Sequence, residues 1–257
     1  MSQLEVVNMD CINFLMDSPR ERFDLIFIDA PYNTGVRQQR VRTDGTIDYG
    51  YQDSFYDFKR FLYPRLDEAQ KVLKPHGSFF LMLDWHEVHY AKVWMDEIFG
   101  RENFKNEIIW AYDYGARSKD RWPCKHDTIL WYAKDKDAYT FNYEAIDRIP
   151  YMAPELQKDK DKAELGKTPT DVWWQTIVPT NGSEKTGYST QKPHQILDRI
   201  IRVHTNPGDW VLDFFAGSGT TGESCAKLGR NCVCVDKSED ACAVMRKRFA
   251  EIQQELF

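Results

Sequence analysis

Four residues, Asp29-Ala30-Pro31-Tyr32, follow directly on the apolar run Phe23-Asp24-Leu25-Ile26-Phe27-Ile28. A short β-rich run of this kind reads as a buried parallel strand, which puts the tetrapeptide in the loop at its carboxyl end. These residue types suit an amino group attached to a flat ring. Such a nitrogen is a poor nucleophile, because its lone pair is delocalised into the ring. Two acceptors that draw on its two hydrogens help make it tetrahedral. The Asp29 side chain supplies one and the Ala30 backbone carbonyl the other. Pro31 stiffens the turn. Tyr32 offers a ring on which a heterocycle can stack once it leaves a duplex. Taken alone, the four residues fit a plain Asx-type turn equally well.

A second segment, Asp213-Phe214-Phe215-Ala216-Gly217-Ser218-Gly219-Thr220-Thr221-Gly222, lies near the other end of the chain. Its order of strand, Gly217-x-Gly219-x-x-Gly222, helix, strand and then Asp236 is that of a βαβ nucleotide-binding unit. The glycines permit a tight turn and close backbone approach. The helix start offers free N–H groups to an anion, and the Asp236 carboxylate can accept from ribose hydroxyls. The glycines alone fit a dinucleotide fold as well. Asp213 ahead of them, and the hydroxyls of Ser218, Thr220 and Thr221 in the turn, suit a carboxylate such as the methionine tail of S-adenosylmethionine. A hydride-transfer enzyme would also carry this unit near its start.

The elements that must position these loops alternate. Helical spacing of apolar residues runs over 58–73, where Pro75-His76-Gly77 stops it, and strands are expected at 78–83, 107–112 and 128–132. Helices are expected over 88–99 and 193–203, a strand over 210–215, a helix over 220–228, a strand over 232–236 and a helix through 255. This alternation predicts an α/β doubly wound sheet. Residues 36–54 lack periodicity and read as a long loop, and residues 143–189, with charge runs and prolines, read as a small insert. The expected organisation is a catalytic half over 1–142, the insert over 143–189 and a cofactor half over 190–257.

A length of 257 residues fits one large domain with a small insert. The net charge of −6 argues mildly against nucleic acid, but the local field decides. Basic residues cluster as Arg37, Arg40 and Arg42 and as Arg117, Lys119, Arg121 and Lys125. Either cluster suits phosphates, and either fits a solvated face. No Cys-x-x-Cys pair occurs, and the two histidines of His86-Glu87-Val88-His89 are spaced wrongly for a zinc helix, so no metal site is expected. The six cysteines read as reduced thiols. Neither a signal-peptide pattern nor a membrane-length apolar stretch is present, so a cytoplasmic, nucleoid-associated place is expected.

The two loops resemble those of the DNA amino-methyltransferases, (D/N/S)-P-P-(Y/F/W) and F-x-G-x-G, here Asp29-Ala30-Pro31-Tyr32 and Phe215-Ala216-Gly217-Ser218-Gly219. The order, catalytic loop first, resembles the β group of that family, and Asn33-Thr34-Gly35 resembles its adenine enzymes. Asn8-Met9-Asp10-Cys11 and Ser189-Thr190-Gln191-Lys192-Pro193 resemble two further family segments. Ala30 in place of the usual first proline is the one visible departure. The resemblance implies a Rossmann-like methyltransferase sheet, S-adenosylmethionine as cofactor and adenine N6 of double-stranded DNA as target. It implies cofactor contacts from Asp10, Asp29, Gln191, Lys192, Asp213, Phe215, Gly217, Ser218, Gly219, Thr220 and Asp236, with Lys192 on the cofactor's carboxylate. Cytosine N4, a non-catalytic DNA-binding subunit and a nicotinamide-dependent oxidoreductase are the alternatives, with RNA and protein glutamine as weaker substrate options. Sequence recognition is expected from residues 143–189, with Trp173, Trp174, Lys185 and Tyr188 as candidate contacts, the tryptophan pair fitting a subdomain core equally well, and the resemblance allows a homodimer.

Overall fold

The computed structural model describes residues 2–41, 47–115, 117–177 and 192–255. β1 (Leu4–Asn8), α1 (Cys11–Asp17) and β2 (Phe23–Asp29) open the chain, and β3 (Val36–Val41) and β4 (Ile47–Asp53) pair antiparallel. The expected long loop at 36–54 is therefore a small sheet of its own. α2 (Phe58–Val72) runs straight into β5 (Leu73–Leu83), so Pro75-His76-Gly77 lies inside a strand rather than in a stop. α3 (Val88–Phe99), β6 (Phe104–Ala111), β7 (His126–Ala133), α4 (Lys160–Leu165) and β8 (Val172–Trp174) follow. The chain closes with α5 (His194–His204), β9 (Trp210–Asp213), α6 (Thr220–Lys227), β10 (Asn231–Asp236) and α7 (Glu239–Glu255).

Among the described residues, the main sheet has eight strands in the order β1-β10-β9-β2-β5-β7-β6-β8. β1, β10, β9, β2 and β5 are mutually parallel, β7 is antiparallel to both neighbours, and β8 is parallel to β6. From β9 the chain crosses over α6 toward one edge; from β2 it crosses over α2 toward the other. The adjacent carboxyl ends of β2 and β9 thus form the switch point where open α/β sheets hold their ligands.

The continuous apolar run of β2 is explained by burial on both faces. Ile26 and Ile28 pack toward α1, α2 and α3, whereas Leu25 and Phe27 pack toward α5, α6 and α7. Trp173 of β8 is buried with Trp110 and Trp131, so it is core rather than a surface contact, while its neighbour Trp174 is exposed. All six cysteines are free, with Cys124 alone exposed. Among the described residues no helix is long and apolar enough to cross a membrane.

His204, at the end of α5, is buried between the rings of Phe80, Trp131 and Phe141 at centroid distances of 4.9, 4.4 and 5.3 Å. Burial pushes its pKa down from 6.5 to about 3. The unfolded chain therefore binds a proton in this window that the folded chain excludes. The stability is intact above pH 6.5 and falls by about 1.4 kcal/mol per pH unit as the pH drops toward 3. We expect His204→Leu to flatten this limb, measured as the urea midpoint from pH 7 down to 5; an unchanged slope would contradict it.

Candidate active site

A cavity of about 610 Å³ opens at the switch point and takes its walls from both loops. That volume suits a ligand of nucleoside size. Asp29, Ala30, Pro31 and Tyr32 line one side, and Phe215, Gly217, Ser218, Thr220 and Asp236 another. Asp10, between β1 and α1, also faces it.

Asp29 ends β2, and its two oxygens have separate partners. The Lys192 ammonium lies 2.7 Å from Oδ2, and the Tyr32 hydroxyl lies 2.9 Å from Oδ1. Lys192 also sits over the Tyr32 ring, 5.2 Å from its centroid. Two residues not expected from the sequence complete the group. Asp127, the second residue of β7, lies 3.1 Å from the Tyr32 hydroxyl through Oδ2 and accepts from the Tyr112 hydroxyl at 3.1 Å through Oδ1. Burial pushes the carboxyl of Asp127 up, and burial together with the carboxylates pushes the phenols of Tyr32 and Tyr112 up. The available signal was a carboxylate directly ahead of the apolar run 128–133.

The backbone after Tyr32 is held in place by a buried carboxylate. Asp53 accepts from the Asn33 and Thr34 amides at 2.8 and 3.2 Å and from the Thr34 hydroxyl at 2.6 Å. Asn33 takes φ +57°, a left-handed conformation that asparagine tolerates better than most residues. Its side chain donates to Glu87 at 2.6 Å and accepts from the Phe55 amide at 2.8 Å. These contacts fix the loop from both sides.

On the cofactor side, Asp236 accepts from the Gly217 amide at 3.0 Å and the Ser238 amide at 2.8 Å. Each carboxylate oxygen keeps further lone pairs for a ligand. Asp10 caps α1 through the Ile12 amide at 3.0 Å and pairs with Arg65 at 2.9 Å. Burial would raise its carboxyl, but the amide and the guanidinium hold it below the usual range. The Phe215 ring lies 6.0 Å from Phe61 and gives the wall an apolar surface. These donors, acceptors and rings fit S-adenosylmethionine: acids for ribose hydroxyls and an exocyclic amine, and a flat apolar wall for a purine.

Several expected cofactor contacts also have partners within the chain, and of these Lys192, Asp213, Ser218 and Thr220 line the cavity. Asp213 is buried, accepting from the Phe215 amide at 3.1 Å and from the Thr221 hydroxyl at 2.6 Å, so this pair shapes the turn. Burial lifts its pKa to about 7. Gly219 caps α6 at φ +76°, and a Cβ there would meet Met245 at 2.7 Å, which turns this glycine toward α7. Ser218 and Thr220 line the cavity, but their hydroxyls lie 3.2 Å apart beside Arg248, which donates to the Ser218 carbonyl at 2.9 Å. Lys192 has Asp29 as its partner. Arg37 is exposed on β3, and Arg117, Lys119 and Arg121 are exposed between β6 and β7, with Arg121 5.5 Å from the Trp85 ring centre. Arg40 is described through its backbone on β3, and Arg42, Lys185, Tyr188 and Gln191 lie outside the described residues.

Gly222 shows why the third glycine is needed. A Cβ on it would stand 2.2 Å from Cζ of the buried Phe249, where α6 meets α7. Gly222→Ala should cost about 1–3 kcal/mol through overpacking. A denaturant midpoint equal to that of the unaltered protein would contradict this.

Comparison with known proteins agrees with this geometry. A family model described as DNA methylase matches residues 23–247. DNA adenine methyltransferase YhdJ of Escherichia coli (strain K12) is 32% identical over 242 residues, which cover 90% of this chain and 77% of that protein. Among solved structures, a complex of M1.HpyAVI with SAM superposes with a TM-score of 0.65 at 22% identity, covering 96% of this chain and 99% of that one. PvuII DNA methyltransferase (cytosine-N4-specific) gives 0.69 at 16% identity, covering 99% and 91%. At these identities the likeness is one of fold. With its doubly wound sheet, its paired loops at the switch point and a family match over most of its length, the chain belongs to the DNA methylase family.

Proposed function

We propose that this protein transfers the methyl group of S-adenosylmethionine to the N6 amino nitrogen of adenine in double-stranded DNA. The observation that carries the reading is the meeting of the Asp29 loop and the Gly217–Asp236 cofactor unit in one cavity. Adenine is favoured by the aspartate that opens the loop and by the relative from Escherichia coli, which is named an adenine enzyme.

The cofactor supplies an electrophilic methyl group when bound. Asp236 and Asp10 would hold its ribose and amine, with Phe215 against the purine. The flipped adenine presents its amino group to the Asp29 carboxylate and the Ala30 carbonyl. These acceptors receive hydrogen bonds from the two amino hydrogens and so help localise the lone pair on the nitrogen. Holding the amine at fixed distance and angle does most of the remaining work. Lys192, paired with Oδ2, holds the Asp29 carboxylate in place and leaves Oδ1, on the Tyr32 side, to meet the base. Tyr32, tethered at its hydroxyl, presents its ring to the base.

Residues 1–142 then act as the catalytic half, 190–257 as the cofactor half, and 143–189 reads the DNA sequence. The exposed Trp174 and the basic residues between β6 and β7 support a duplex on this side, because β6 ends at the same edge of the sheet as β2 and β5. The substrate class is tested by presenting duplex DNA, RNA and protein with methyl-tritiated S-adenosylmethionine. Label should enter the duplex. Label in RNA or protein alone would overturn the proposal.

A further inference from the structure

The Tyr32 hydroxyl stands between two carboxylates, 2.9 Å from Oδ1 of Asp29 and 3.1 Å from Oδ2 of Asp127. A phenol has one hydrogen and can donate to only one of them. With both carboxylates ionised, one of these short oxygen–oxygen contacts has no hydrogen in it. The group therefore has a place for one more proton. Asp127 is 5% exposed, and its other oxygen is already held by the Tyr112 hydroxyl. The charged and titratable groups facing it come from four elements. Asp29 ends β2 and Tyr32 follows it, Tyr112 follows β6, Lys192 precedes α5, and Asp84, after β5, acts on Lys192 and Tyr112.

Methylation of an amino nitrogen must release a proton. As the new N–C bond forms, one N–H bond breaks, and its electron pair stays on nitrogen. We propose that Asp127 is the final acceptor of this proton, which passes from the amino group to Asp29 and through the Tyr32 hydroxyl. Asp29 Oδ1 takes the proton and hands it to the Tyr32 oxygen, and the hydroxyl's own hydrogen moves to Oδ2 of Asp127. Asp29 ends as a carboxylate, Tyr32 as a phenol and Asp127 as a carboxylic acid. Asp127 touches neither base nor cofactor and acts only through Tyr32. Its burial suits the role, since a buried carboxyl holds a proton more readily than a solvated one. This inference rests on the methyl-transfer reading above.

The test compares single-turnover transfer to duplex DNA by the unaltered protein, Asp127→Asn, Tyr32→Phe and the double variant, from pH 6 to 9. Asparagine keeps the shape and the acceptor toward Tyr112 but cannot take the proton. Asp127→Asn should be about a hundredfold slower at pH 7 and should recover as pH rises, because solvent must then remove the proton. The unaltered protein should instead slow only at acid pH, where solvent protonates Asp127. The double variant should be no slower than Tyr32→Phe, since both interrupt one path. Equilibrium binding of S-adenosylmethionine and the thermal midpoint should stay within threefold and a few degrees of the unaltered protein, which separates a chemical loss from misfolding. A parallel loss at every pH, or losses that multiply in the double variant, would overturn the relay. If the unaltered protein itself transfers nothing to DNA, the methyl-transfer reading fails rather than the relay.

Discussion

Asp29→Ala should lower single-turnover methyl transfer to duplex DNA by about a thousandfold, with cofactor affinity changed only a few-fold. Removing one preorganised polar contact at a developing charge, in a site shut off from water, costs about 2.7–4 kcal/mol, or 10²–10³ in rate. Asp29 has that position, and loss of its carboxylate also frees Lys192 from its 2.7 Å partner. The loop itself should hold, because Asp53 binds the amides of Asn33 and Thr34 independently of Asp29. The loss should therefore fall on the chemical step and not on folding. Asp29→Asn keeps a carbonyl acceptor and should fall between the two. Transfer by Asp29→Ala within tenfold of the unaltered protein would remove Asp29 from the mechanism.

Asp236→Ala should raise the dissociation constant for S-adenosylmethionine by about a hundredfold, roughly 2.7 kcal/mol. Two effects add. The substitution removes a charged acceptor that a ribose hydroxyl needs, and a hydrogen bond to a charged group contributes about 1.5–3 kcal/mol. It also releases the Gly217 and Ser238 amides, held at 3.0 and 2.8 Å, and so loosens the turn that forms the cavity wall. Titration calorimetry reads the change directly, and a shift below threefold would place the cofactor elsewhere.

The two loops were legible in the sequence because their information is local. The Gly217–Asp236 unit needs only a strand, a turn that tolerates positive φ, a helix and a second strand, all within the 27 residues from Trp210 to Asp236. The β2 run declared itself by burial on both faces. What escaped depends on partners distant in sequence. Asp127 meets Tyr32 across 95 residues and carries no periodicity of its own. The pairing of Val36–Val41 with Ile47–Asp53 was hidden because Arg37, Gln38, Gln39 and Arg40 give neither face an apolar pattern. Trp173 joined the core because a strand of three residues slots beside β6, which nothing in its proline-rich surroundings announces. The hydroxyl of Thr221 and the carboxyl of Asp213 both line the cavity, and the bond between them, eight residues apart, was not legible from the local pattern.

The most direct measurement is mass spectrometry of nucleosides released from unmethylated duplex DNA after incubation with the protein and isotopically labelled S-adenosylmethionine. The account predicts the label in N6-methyladenine. Label in N4-methylcytosine instead would contradict it.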